Sequence, residues 1–101
     1  MNLFDISVNP VTGEERFDTL FESGNVTIER ICSNMLKDGE WYDQERDEWV
    51  VLFQGNAVIE LDHNVVKSLS RGDHLFIKAH ERHRVLSTSH DALWLALHFN
   101  A

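Results

Sequence analysis

From residue 25 onward, apolar and polar positions alternate with a period of two. Turn residues break the alternation about every ten positions. Over Asn25–Cys32, Val26, Ile28, Arg30 and Cys32 share one side and Thr27, Glu29 and Ile31 the other. The wealth of β-branched residues predicts a strand. Lys37-Asp38-Gly39 is a turn signal. Glu48–Phe53 is apolar on both sides, the pattern of a strand buried on two faces. After a turn at Gln54-Gly55-Asn56, Ala57, Ile59 and Leu61 alternate with Val58, Glu60 and Asp62. Asp62-His63-Asn64 reads as a hairpin tip, since Asp and Asn tolerate positive φ. Short strands follow at Val65–Leu69, His74–Ile77, His83–Thr88 and Ala92–Phe99. In the last of these, Trp94, Ala96 and His98 share one face and Leu93, Leu95, Leu97 and Phe99 the other.

No segment holds a 3.6-residue apolar period over three turns. Roughly seven to nine short strands at spacings of about ten residues predict an all-β sandwich or small barrel. A barrel of this width has a lumen for side chains or one small ligand. The 101 residues allow one domain: residues 1–24 are expected as an N-terminal segment packing on a barrel of residues 25–101. Pro10-Val11-Thr12-Gly13 reads as a turn inside a weakly patterned beginning.

Charge narrows the functions. Nine Lys and Arg stand against seventeen Asp and Glu, a net charge of -8. A nucleic-acid partner needs a basic face, and only Arg82, His83 and Arg84 approach one. The same charge is repelled by anionic membrane surfaces. No apolar run nears the ~20 residues that span a bilayer, and the first residues lack a signal-peptide pattern. The expected location is the cytoplasm. A single cysteine, Cys32, excludes an internal disulfide and a multi-cysteine zinc site, and reads as a small buried hydrophobe.

Three places hold candidate chemistry. Glu48 opens the two-sided apolar strand on the face of Val50 and Leu52, so it either faces water ahead of the strand or is buried and needs a partner. His80 and His83 form a His-x-x-His pair, in which His83 begins a strand and can point inward while His80 suits solvent. His98 either lines the lumen or is a core histidine bonded to a backbone carbonyl. Phosphate loops, nucleophile elbows and Cys-x-x-Cys pairs are absent from the sequence.

Together these islands resemble the cupin family. Glu48, six residues and Gly55 match the second half of its first motif, G-x5-H-x-H-x(3,4)-E-x6-G. Gly72, five residues, Lys78, Ala79, His80, two residues and His83 reproduce the spacing of its second, G-x5-P-x-G-x2-H-x3-N. The resemblance spans roughly residues 25 to 99 and is nearest to small single-domain cupins with a Trp-Tyr-Asp-Gln stretch before Glu-Trp-Val and a late Arg-His-Arg-Val. It departs where the His-x-His should stand. Those positions fall on Trp41 and Asp43, or on Tyr42 and Gln44, depending on the spacer. Lys78, His80 and Ser87 replace the second motif's proline, glycine and asparagine.

The resemblance implies a double-stranded β-helix (jelly-roll) barrel with one divalent metal in its mouth. Glu48 and His83 keep the ligand type. Asp43, Gln44 and His80 are the further candidate ligands, with Trp41, Tyr42, Val50 and Trp94 expected to line the pocket. A mixed nitrogen and oxygen set with open positions suits Fe, Mn, Ni or Zn. Glu48 and His98 are the expected catalytic groups, as general base or orienting residue. Three functions remain open. One is a metal-dependent enzyme, dioxygenase- or isomerase-like, acting on a small oxygen-rich substrate. The second is a small-molecule-binding module without metal. The third is purely structural, a homodimer whose barrel is only a fold. The resemblance also implies a homodimer.

Overall fold

The structure is a computed structural model that describes residues 2–100. Its strands are β1 (Glu14–Ser23), β2 (Val26–Asn34), β3 (Asp47–Gln54), β4 (Ala57–Leu61), β5 (Val65–Leu69), β6 (His74–Ile77), β7 (His83–Thr88) and β8 (Ala92–Phe99). All pairings among them are antiparallel. A five-stranded sheet in the order β1-β2-β8-β3-β6 faces a three-stranded sheet in the order β5-β4-β7. This is the double-stranded β-helix architecture, built from the alternation in the sequence.

Each two-residue repeat sends one set of side chains between the sheets. On β3, Glu48, Val50 and Leu52 are buried while Trp49, Val51 and Phe53 stay partly exposed on the outer face. Val50 and Leu52 pack with Ile59, Leu69, Ile77 and Trp94 into one core, completed by Ala57, Ala92 and Ala96. Burying such side chains contributes about 1.5–3 kcal/mol each. On β8, Trp94, Ala96 and His98 are buried, and Leu95, Leu97 and Phe99 are only half-buried outside.

The turns follow local chemistry. Asp62–Asn64 is a single 3-10 turn with His63 and Asn64 at φ 62° and 60°. Gly55 has φ +85°, and a Cβ there would run into Ser89 and Asp91. Ser89 Oγ uses that space to accept from the Asn56 N–H (3.0 Å) and donate to Asp91 (2.8 Å). The glycine that ends the first motif therefore serves a turn.

The N-terminal stretch differs from the expectation that residues 1–24 lie on the barrel. Glu14–Ser23 is itself the edge strand of the larger sheet, paired along β2 with a bulge between Thr19 and Phe21. Its acids and aromatics fall on both faces, so it lacks the period-two signal of the other strands. Only the residues before it lie across the sheet. The buried Arg30 guanidinium holds them by donating to the Leu3 and Asp5 carbonyls (both 3.1 Å) and to Asp18 (3.0 Å). That bond to Arg30 holds the Asp18 carboxyl below its ordinary value.

The stretch between β2 and β3 runs beside β7. Asp38 and Gly39 donate backbone N–H groups to the Leu86 and Val85 carbonyls (both 2.8 Å). Tyr42 and His83 exchange backbone hydrogen bonds of 2.8 and 3.1 Å. Extended backbone here places Tyr42 and Gln44 on one side and Asp43 on the other. Among the described residues, no helix is long and apolar enough to cross a membrane.

Candidate metal and ligand site

One end of the space between the sheets is a cavity of about 80 Å³. Apolar walls come from Phe17, Ile31, Val50, Ile59, Ile77, Val85 and Trp94. Its polar groups are Glu15, Glu29, Tyr42, Gln44, Glu48, His83, Arg84 and His98. The strand register explains the gathering. Glu48 of β3 stands opposite His98 of β8, on the inner face of adjacent strands. His83 opens β7 on the facing sheet.

The Glu48–His83 pair is the chemical centre. Glu48 is 6% exposed and His83 8%. His83 Nδ1 lies 3.0 Å from the Glu81 carbonyl, which can only accept, so Nδ1 carries a proton. His83 Nε2 then faces Glu48 Oε1 across 3.5 Å. That gap exceeds the 2.7–2.9 Å typical of a charge-assisted hydrogen bond. Glu48 Oε1 is buried without a hydrogen-bond partner, as is Gln44 Oε1. Two lone-pair atoms facing each other in a dry site repel. Something positive between them, a proton or a cation, removes the repulsion. Burial opposes a charged His83, but Glu48 and the Glu81 carbonyl together push its pKa above the ordinary value.

Distances bear on whether a metal fits. An ion held about 2.0–2.2 Å from a nitrogen and an oxygen at a near-tetrahedral angle keeps them about 3.5 Å apart. The observed separation is the same. Among the described residues no group of three His, Cys, Asp or Glu is gathered for a metal. The other buried oxygen without a partner in the cavity lining belongs to the neutral Gln44 amide. Tyr42, which stacks on the His83 ring at 5.8 Å, is not an anionic substitute. Burial and the surrounding Glu15, Glu40, Glu48 and Glu29 charges raise its phenol pKa. The donors present fit a divalent ion with several open positions.

His98, beside this centre, points its Nε2 at Glu29 Oε1 (2.9 Å). Its partner is thus a carboxylate on β2, not a backbone carbonyl. Deeper in, the Trp94 indole N–H donates to Ser33 Oγ (3.2 Å), and Ser33 donates to Glu15 Oε2 (2.6 Å). Burial raises the Glu15 pKa, and the Ser33 bond only partly offsets it.

The structure brings together Glu48, His83, Gln44, His98, Tyr42, Val50 and Trp94. It leaves the expected ligands Asp43 and His80 outside. They pair with each other at 2.7 Å, their side chains 55% and 65% exposed. The alternation that turns Gln44 inward turns Asp43 outward. Trp41, expected in the pocket, instead packs its ring against the Arg82 and Arg84 guanidinium carbons at 4.7 and 4.9 Å. Residues that sequence reasoning missed are Glu15, Phe17, Glu29, Ile31, Ile59, Ile77, Arg84 and Val85. Glu29 was legible, since it shares the inner face of β2 with Thr27 and Ile31. Glu15 was hidden in the unpatterned start.

No family model matches the chain, and no curated protein matches its sequence. Solved structures do. The chain is 39% identical to a "putative mannose-6-phosphate isomerase" from Ralstonia eutropha JMP134, covering 100% of this chain and 97% of that one at a TM-score of 0.87. An RmlC-like cupin from Shewanella frigidimarina NCIMB 400 matches at 16% identity over 92% and 82% of the two chains, TM-score 0.77. KdgF from a Halomonas species matches at 18% over 92% and 86%, TM-score 0.79. With full-length similarity, a two-sheet antiparallel barrel and the glutamate and histidine of both motifs meeting inside it, the chain belongs to the cupin superfamily.

Proposed function

We propose that the cavity binds one divalent transition metal through Glu48, His83 and Gln44 and presents its open positions to a small oxygen-rich ligand. The observation that carries this reading is the pair of unpartnered buried oxygens, Glu48 Oε1 and Gln44 Oε1, with His83 Nε2 3.5 Å from the first. Uncompensated buried acceptors are costly, and a cation satisfies all three at once. When bound, the metal supplies Lewis acidity to ligand oxygens. The protein orients the ligand between the Trp94, Val50 and Ile77 walls and excludes bulk water. His98, steadied by Glu29, stands opposite Glu48, where it can orient a ligand. Such a site suits an enzyme of the isomerase or dioxygenase kind, and the cytoplasm is its proposed setting.

The test is titration of Mn(II) and Zn(II) into chelator-stripped protein by calorimetry. Near-stoichiometric binding is expected, lost in Glu48→Gln and His83→Ala. Occupancy well under one equivalent after reconstitution refutes the metal site.

A second reading is a metal-free binding module. The raised His83 pKa favours it, because a protonated His83 paired with Glu48 fills the same gap. Under this reading, thermal stabilisation by small organic ligands survives chelation.

The homodimer belongs to the same proposal. Leu95, Leu97, Phe99 and the 51%-exposed Phe76 form an apolar outer face that a second copy can cover. A monomer in sedimentation at micromolar concentration refutes it.

A further inference from the structure

The cavity does not end at its metal-binding corner. Glu29, Gln44 and His98 also line a broad polar groove whose other walls include Glu22, Glu45 and Arg46. Cavity and groove thus share three residues and form one cleft between β1, β2 and the segment leading into β3. Carboxylates from Glu15, Glu29 and Glu48 face the cavity, and Glu22 and Glu45 the groove.

Positive charge offsets them only in part: Arg46 lines the groove, and Glu29 and Glu48 face His98 and His83 at 2.9 and 3.5 Å. Arg84 is committed to Glu60 at 2.9 Å. Arg46 donates to the Thr27 hydroxyl at 2.9 Å, and Thr27 donates to Glu22. Glu15 is bonded only to the Ser33 hydroxyl. The chain's net charge of -8 adds to the local potential. A low-dielectric cleft lined by one sign of charge focuses its field on whatever enters.

Carboxylates are acceptors only, and the unpartnered Glu48 Oε1 inside the cavity is a further acceptor. A ligand that satisfies them must bring hydroxyl or ammonium donors. One that brings a phosphate or carboxylate meets repulsion from Glu22, Glu29 and Glu45 along the groove.

We propose that the cleft takes a small hydroxyl-rich ligand that is uncharged or carries an amino group, and rejects phosphorylated and carboxylated ones. This deepens the reading above and rests on it for the corner where the ligand ends. It separates this chain from the substrate named for its Ralstonia relative, a hexose phosphate.

The test is calorimetric binding of three probes, a hexose, its 2-amino derivative and its 6-phosphate, to the full chain with and without Mn(II). The expected order is amino sugar first, neutral sugar second and phosphate last. At low salt the outer two differ by about tenfold or more, and added salt narrows the gap. In the double variant Glu22→Gln/Glu45→Gln, affinity for the phosphate probe rises while metal affinity is unchanged. Phosphate binding as tight as the neutral sugar overturns the proposal. So does failure of all three probes to bind at about 10 mM, a limit near 3 kcal/mol of binding free energy. If the charge order holds without any metal uptake, the metal reading fails and the selectivity stands. Metal uptake with the order inverted has the opposite meaning.

Discussion

The two ends of the inner face of β3 lie on one strand and share one pattern, yet do opposite things. At one end Leu52 is fully buried, surrounded by the apolar core. Two residues beyond Val50, Glu48 is nearly as buried but carries an oxygen with no partner. The first arrangement stabilises the fold and supports no chemistry. The second weakens the fold by leaving polar groups dry, and holds a carboxylate–imidazole pair 3.5 Å apart inside the cavity. Stability and function are thus separated along a single strand.

The comparison breaks if the two ends respond alike to substitution. Leu52→Ala removes a fully buried side chain where the sheets leave little room to collapse. It should cost about 3–5 kcal/mol in chemical denaturation. The metal affinity of the fraction still folded should stay at the parent value. If Leu52→Ala and Glu48→Gln lose metal binding equally, the two ends are coupled and the division is wrong.

Glu48→Leu should act with the opposite sign. Replacing a buried, incompletely paired carboxylate by an apolar side chain of similar size removes a desolvation cost. His83 then stays neutral with its Nδ1–H still on the Glu81 carbonyl. The metal-free protein should gain about 1–3 kcal/mol, with metal binding abolished. A loss of stability comparable with Leu52→Ala would mean that Glu48 is already well paired.

The sequence showed the apolar end far better than the polar end, for a physical reason. Burial of a strand face leaves a period-two signature, so β2 to β8 appear at nearly their observed bounds, as do the two faces of β8. In β1 a bulge between Thr19 and Phe21 breaks the alternation midway. The acids and aromatics of Glu14–Ser23 therefore hid β1, and Glu15 and Phe17 with it. In the site, Glu48 and His83 were legible because motif spacing marks them. The choice between Asp43 and Gln44 was not, because it depends on how the preceding segment pairs with β7. Chemical type favoured Asp43, and backbone alternation turned it to solvent. Glu29 as partner of His98 depends on register across two strands, which spacing within one strand does not encode.

Proton linkage sharpens the contrast, with smaller effects. The folded-state pKa of His83 is raised above 6.5. Its contribution to metal-free stability is therefore full below about pH 6.5 and is lost as pH rises through the raised value. Glu15 has a folded-state pKa raised above 4.5 by burial. The unfolded chain then ionises first, so its stability contribution also falls as pH climbs from 4.5 through the raised value. Metal binding runs the other way and strengthens as His83 loses its proton. Denaturation midpoints and Mn(II) affinity measured from acid to alkaline pH should show these opposed trends. His83→Ala should remove the upper window and leave the lower. The assignment fails if the upper window persists in that variant.

The smallest expected effect concerns a pair that looks, in the sequence, as promising as Glu48 and His83. Asp43 and His80 are closer to each other, at 2.7 Å against 3.5 Å. Distance alone would rank them higher. Both side chains are more than half exposed, so water and salt screen their attraction and solvate whatever is left when one is removed. Asp43→Ala and His80→Ala should each change stability by less than about 0.5 kcal/mol. They should leave metal affinity at the parent value, since neither side chain reaches the cavity. Calorimetry and denaturation of both variants beside Glu48→Gln provide the comparison. A loss of metal binding in Asp43→Ala would show that solvent-facing ligands complete the site, and that burial is not what selects the functional carboxylate here.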